Sequence, residues 1–195
     1  LAEDAASRSP QTHAALGARR RLRRTVVLIG LMGAGKSSVG RRLAETLDAA
    51  FHDSDDEIAA AAGMDIPSIF GELGEAAFRD GERRVIARLL DGPPHVLATG
   101  GGAFMNAQTR ALIARSAVSV WIRADLDTLV ERTGRKNDRP LLRAGDPREI
   151  LARLMSERHP AYASADLTVE SASDAPHDAV VAQIVAALDA AGALE

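Results

Sequence analysis

The 195-residue chain has no cysteine, one tryptophan, one tyrosine and four phenylalanines, and only two of its 24 basic residues are lysines, Lys36 and Lys136. Without cysteine, neither disulfides nor thiolate metal sites can contribute. No run of about 18 apolar residues is present to make a membrane span, and the N-terminus lacks the apolar segment of a secretion signal, so a cytoplasmic protein is expected. At 46% apolar the chain can bury one good core, most simply as a single domain.

What is present begins at residue 30. Residues Gly30 to Ser37 read Gly-Leu-Met-Gly-Ala-Gly-Lys-Ser, directly after the apolar run Val26, Val27, Leu28, Ile29. A strand that ends in such a loop and continues as a helix sets backbone N–H groups around a triphosphate, at the positive end of the helix dipole. Gly30 and Gly35 permit the tight turn and close approach, Lys36 reaches the β- and γ-phosphates, and Ser37 is placed to hold Mg²⁺. The arginine bias sharpens the point, because a P-loop needs the compact point charge of lysine rather than a planar fork.

Residues 1–24 are rich in Ala, Ser and Arg and end in Arg19, Arg20, Arg21, Leu22, Arg23 and Arg24. They read as a flexible basic extension, a solvated lead-in to a domain over 25–195. That domain carries 18 basic and 25 acidic residues, a net charge of −7, which argues against a nucleic-acid partner.

From residue 25 onward short β-rich runs alternate with helical patterns, the signature of a parallel sheet with helices on both faces. Strands are expected at 25–29, 50–53, 95–98, 119–122 and 167–169. Helices are expected at 37–48, through the stripe of Ile66, Ile69, Phe70, Leu73 and Ala77 and on past Gly81, from Asp125 to about Thr133, from Asp146 to about Arg158, and from Pro176. The charged, Gly-bounded connection 134–145 reads as a lid, with a plain surface loop as the other reading.

In such a sheet ligands gather beyond the carboxyl ends of the strands. There the chain places Asp53-Ser54-Asp55 and, after the third strand, Thr99-Gly100-Gly101-Gly102-Ala103. If extended, Asp53 and Asp55 would face one crevice, one reaching the water shell of a metal and the other a hydroxyl that attacks phosphorus. Asp55 could equally cap a helix starting near Asp56. Three successive glycines give either a flexible turn or bare backbone for a ligand to lie on. Arg79, with Glu82 three residues on to hold it, and Arg158, just before His159-Pro160, could grip a carboxylate if they converge; each alone could be a surface arginine.

Taken together, residues 25–190 resemble shikimate kinase. The resemblance rests on GLMGAGKSSVGRRLA from Gly30, DSDDEI from Asp53, the succession Ile69, Phe70, Gly74, Glu75, Phe78, Arg79 and Glu82, TGGGA from Thr99, RPLL from Arg139 and ERHPAY from Glu157. It implies a P-loop kinase fold of the nucleoside-monophosphate-kinase type, with a five-stranded parallel sheet in the order 2-3-1-4-5 and a lid at about 134–145. It also implies transfer of the γ-phosphoryl group of ATP to the 3-hydroxyl of shikimate, in the pathway to chorismate and the aromatic amino acids. Gly33, Ala34, Gly35, Lys36, Ser37 and Ser38 would cradle the phosphates, Ser37 would bind Mg²⁺ directly and Asp53 would hold it through water. Asp55 would be the base on the acceptor hydroxyl. Arg79 and Arg158 would grip the carboxylate, with Gly100, Gly101 and Gly102 lining the same pocket. Arg139 would close from the lid onto the phosphates and act with Lys36 and Asp55 in catalysis, and Arg132 would pack against adenine.

The expected partner is thus a small molecule, with no nucleic acid or membrane and with a monomer as the working unit. Two other readings use the same fold: a small-molecule P-loop kinase for gluconate or a nucleotide, and a ligand-sensing regulatory domain. The paired aspartates, the triple glycine and ERHPAY favour shikimate over the first. The joint presence of Lys36, Asp55, Arg79, Arg139 and Arg158 disfavours the second.

Overall fold

Strand β1 (Thr25–Ile29) is buried at every residue, and so is β3 (His95–Ala98), while β4 (Ala117–Arg123) is buried at all but its last. Alternate residues of a strand face opposite sides, so burial at both parities means that both faces of the sheet are covered. The computed structural model describes residues 20–134 and 145–195. Its single sheet adds β2 (Ala50–Asp53) and β5 (Leu167–Glu170) as less buried edges, in the order β2-β3-β1-β4-β5 with every pairing parallel. That is the order the resemblance implies.

Seven α-helices connect the strands: α1 (Lys36–Thr46), α2 (Ser54–Ala62), α3 (Ile66–Leu90), α4 (Ala107–Ser116), α5 (Leu126–Gly134), α6 (Pro147–Tyr162) and α7 (His177–Ala190). Helix α1 lays Val39, Leu43 and Leu47 into the core, the face its sequence periodicity predicts. It also approaches the sheet very closely: a Cβ on Gly40 would lie 2.6 Å from the Phe51 ring and 3.1 Å from Leu28. Complete burial of side chains such as Leu28, Ile29, Leu43 and Ile122, each worth about 1.5–3 kcal/mol, fixes the β1–α1 unit at the centre of the molecule.

Several elements differ from expectation. The long helical stripe continues past Gly81 as expected, in one run from Ile66 to Leu90, but it is broken at Gly74 (φ 80°, ψ 170°), which periodicity does not show. Helix α4 has only Thr109 and Ile113 buried, too sparse a stripe to be seen by periodicity, and Asn106 starts it by accepting hydrogen bonds from the Gln108 and Thr109 N–H groups. Helix α6 runs past Arg158, through Pro160, to Tyr162.

The solvated lead-in also does not extend to residue 24. Arg21 and Glu195 exchange backbone hydrogen bonds, the Arg23 N–H reaches the Ala193 carbonyl and Leu22 is buried opposite Leu194. Arg24 donates to the carbonyls of Ala114 and Arg115 at the end of α4. A short strand-like pairing with the C-terminal residues gives these arginines a structural task.

Candidate active site

The carboxyl ends of β1, β2 and β3 meet in one cleft. From β1 the chain enters the loop 30–35, in which Gly30, Gly33 and Gly35 have φ of 147°, 85° and 95°. These values belong to glycine, and Gly35 in that conformation is the N-cap of α1. The loop is pressed between elements: a Cβ on Gly30 would lie 2.6 Å from the Ile122 carbonyl of β4, and one on Gly33 would lie 3.0 Å from Thr133 of α5. Lys36 Nζ donates to the carbonyls of Gly30 and Leu31 at 2.9 and 3.0 Å, across the mouth of the cradle.

The Asp53-Ser54-Asp55 segment is not extended as the sequence suggested. Asp53 ends β2 and is the N-cap of α2, accepting the Asp55 N–H at 3.1 Å, so Asp53 rather than Asp55 is the cap and the helix starts at Ser54. The other oxygen of Asp53 accepts the Ser37 hydroxyl at 2.7 Å, which ties β2 to the first turn of α1. Asp55 turns into the cleft instead. Burial and then the neighbouring Asp53 charge push its carboxyl above the usual aspartate range, against the pull of Lys36 and Arg79.

The three glycines are where the acceptor half converges. A Cβ on Gly100 would meet Asp55 Oδ1 at 2.8 Å and Glu82 Oε1 at 3.0 Å; one on Gly101 would meet Arg158 at 3.0 Å; one on Gly102 would meet the Arg79 guanidinium at 2.5–2.7 Å. The expected carboxylate, base and arginine positions, scattered over a hundred residues, thus lie against successive glycines of one loop. The loop is pinned: Thr99 donates through both N–H and hydroxyl to the Leu28 carbonyl, the Gly100 N–H donates to Ser54 Oγ at 3.0 Å, and the Tyr162 hydroxyl donates to the Gly101 carbonyl.

Both arginines are half-buried. Arg79 donates to Glu82 Oε2 at 2.7 Å, and the Glu82 side chain is only 3% exposed. Burial pushes the Glu82 carboxyl up, opposed by Arg79, and its Oε1 has no hydrogen-bond partner among the described residues. Tyr162 is fully buried, and Arg158 lies close enough to oppose the rise that burial imposes on the Tyr162 hydroxyl. The sequence marked Glu82 as the partner of Arg79. The anchoring roles of Ser54 and Tyr162 it did not reveal, because nothing in a linear pattern signals which hydroxyl reaches a loop 46 or 61 residues away.

On the far side Arg132 donates to Ser171 Oγ at 2.9 Å and to the Ala172 carbonyl at 2.6 Å, holding the loop that follows β5. Arg139 and most of the expected lid, residues 135–144, lie outside the described residues. Oxygen donors that suit a hard cation meet at Ser37 and Asp53. Among the described residues no group of three or more His, Cys, Asp or Glu side chains could hold a metal by itself. The Ser37 hydroxyl and the Asp53 carboxylate are hard oxygen donors, of the kind that Mg²⁺ takes.

The shikimate kinase family model matches residues 32–189. The curated shikimate kinase of Caulobacter vibrioides is 61% identical over 165 residues, 85% of this chain and 82% of that protein. That of Bradyrhizobium diazoefficiens is 56% identical over 176 residues, 90% and 82% of the two chains. Among solved structures, shikimate kinase from Acinetobacter baumannii in complex with shikimate superposes with a TM-score of 0.79 at 36% identity, covering 87% of this chain and 94% of that one. A gluconokinase from Sinorhizobium meliloti has a TM-score of 0.58 at 18% identity and shares the fold alone. By family model, by sequence identity over most of its length and by fold, the chain belongs to the shikimate kinase family.

Proposed function

We propose that the chain transfers the γ-phosphoryl group of ATP to the 3-hydroxyl of shikimate, with Asp55 as general base and Arg79 and Arg158 as the carboxylate clamp. The observation that carries this assignment is the convergence of Asp55, Arg158 and Arg79 on Gly100, Gly101 and Gly102, beside the phosphate cradle.

Phosphoryl transfer asks a protein for alignment and charge compensation more than for covalent help. The N–H groups of residues 33–38 hold the phosphates, and Lys36 exchanges the Gly30 and Leu31 carbonyls for phosphate oxygens. Mg²⁺, when bound, would supply positive charge at the phosphates; Ser37 would hold it as a ligand and Asp53 through its water shell. Arg79 and Arg158 fix the carboxylate end of the acceptor, which turns its ring so that a hydroxyl meets Asp55. A carboxyl raised by burial is a better proton acceptor than an ordinary aspartate, because its basicity lies closer to working pH. The unpaired Glu82 oxygen offers a second acceptor for an acceptor-ring hydroxyl. Arg139 closes over the phosphates from the lid, and Arg132 packs against adenine.

The same reading has a cytoplasmic monomer acting on a small molecule. The net charge of −7 over residues 25–195 supports it by disfavouring polyanionic partners.

A coupled assay of ADP release, run with and without shikimate and with and without Mg²⁺, tests the proposal. Turnover that requires both is expected. ADP release indifferent to shikimate, or greater with gluconate or a nucleoside monophosphate, would overturn it.

A further inference from the structure

Helix α7 brings one side chain to the phosphate cradle that no motif marked. A Cβ on Gly35, the N-cap of α1, would lie 3.9 Å from both Cδ2 and Nε2 of His177. His177 is the first residue of α7 and is exposed, so one edge of its ring, with Nε2, faces Gly35 while the residue stays open to solvent.

This placement is held from two sides. Asp178, next in sequence, pairs with Arg42 Nε at 3.3 Å, and Arg42 also donates to the Ser38 carbonyl at 3.3 Å, so the first turn of α7 is tied to the first turns of α1. On the other side Arg132 holds Ser171 and Ala172, which precede α7. Partial burial and the charges of Arg42 and Arg132 push the His177 pKa below the ordinary histidine value, with Asp178 opposing them. The lowered pKa favours the uncharged ring, which keeps one N–H to donate.

We propose that His177 is a nucleotide-contacting residue, which spans the interval between the cradle at Gly35 and Arg132 and donates a hydrogen bond to the α-phosphate or ribose. The proposal rests on the nucleotide-binding reading of the cradle and adds a residue to it from outside the P-loop. Position decides which part of the nucleotide is involved. The γ-phosphate must face Asp55 and the glycine loop, whereas His177 faces Gly35 and lies within electrostatic reach of Arg132. Its contact is consequently made equally to ATP and ADP and does not change during transfer, so it contributes uniform binding rather than transition-state binding.

The test is ADP binding by titration calorimetry together with steady-state kinetics for the intact wild-type chain, His177→Ala and His177→Asn. A hydrogen bond to a charged or strongly polar acceptor is worth roughly a tenfold change in affinity. His177→Ala should raise the ADP Kd and the ATP KM together by about 5- to 10-fold, with kcat at saturating ATP, shikimate KM and melting temperature unchanged. His177→Asn, which keeps a donor, should recover part of the loss. An ADP Kd within about twofold of wild type in His177→Ala, with wild-type ADP binding intact, would overturn the role of His177 while leaving the kinase reading standing. Wild-type chain that binds no ADP would overturn both. A Kd change that tracks a fall in melting temperature, with no recovery in His177→Asn, would reduce His177 to a packing residue between α1 and α7 and likewise overturn the proposal.

Discussion

On the side of the cleft proposed for the nucleotide the chain offers backbone N–H donors, fixed by glycines with positive φ in a loop wedged between β4 and α5. On the proposed acceptor side it offers carboxylates and guanidiniums from α2, α3 and α6, set against a loop whose glycines make room for side chains. The difference is one of compliance. Backbone pressed against backbone has nowhere to go, whereas the far end of an arginine can swing aside.

Two alanine substitutions test that difference directly. Gly30→Ala places a Cβ 2.6 Å from the Ile122 carbonyl at a residue whose φ of 147° already disfavours any side chain. It should lower stability by about 3 kcal/mol or more in denaturant unfolding, and nucleotide binding with it. In Gly102→Ala the three atoms nearest the new Cβ all belong to the Arg79 guanidinium, at 2.5–2.7 Å. It should leave stability within about 0.5 kcal/mol of wild type and raise the shikimate KM about tenfold by displacing half of the clamp. If both variants lose stability alike, the contrast between the two halves is wrong.

Between these two in size lies Asp55→Asn. Turnover should fall about 100-fold or more if the carboxylate takes the proton of the attacking hydroxyl. Because burial disfavours the charge at this position, the amide should fold at least as well as wild type, and ADP affinity should stay unchanged. Near-normal turnover would remove Asp55 from the chemistry.

The same contrast explains how much could be read in advance. A backbone cradle leaves its mark as contiguous glycines with a lysine and a serine, so the nucleotide half was legible from Gly30 to Ser37. Fully buried parallel strands such as 25–29 and 95–98 were likewise legible as short apolar runs between longer amphipathic ones. The proposed acceptor half draws on residues 55, 79, 82, 100–102 and 158, which share no single local pattern: their places at strand ends and the Arg79–Glu82 spacing made each a candidate, and the succession of family motifs joined them. Asp53 shows the cost of local reasoning. An extended chain would present Asp53 and Asp55 alike, but the helix starts at Ser54, two residues before Asp56, so Asp53 becomes cap and Ser37 partner while Asp55 enters the cleft. Helix α4 and residues 20–24 were misjudged for a related reason: their order comes from Asn106 and from pairing with residues 193–195, which periodicity does not register.

The smallest expected effect lies at the opposite end of the acceptor-side strands. His95 starts β3, with Nδ1 beside the Pro93 carbonyl at 2.9 Å and the Thr25 hydroxyl at 3.3 Å, and its Nε2 is buried with no partner among the described residues. The His52 ring lies edge-on at 5.0 Å, and His52 pairs with Glu57, which also holds Arg88. Burial, and then His52, push the His95 pKa below the usual histidine value, with Pro93 and Glu57 opposing. A histidine depressed in the folded state binds its proton first in the unfolded chain, so its contribution is complete above about pH 6.5 and is lost as pH falls through the folded value. Asp55 and Glu82, both raised, act in the other direction over the carboxylate range, since there the folded state takes up protons first. Wild-type stability measured from pH 7.5 to 5.5 should therefore decline, and His95→Gln, which cannot ionise, should show a flatter profile over that window whatever its absolute stability. Equal slopes would mean that His95 takes up its proton equally in the folded and unfolded chains and that the β2–β3 edge carries no acid sensitivity of its own.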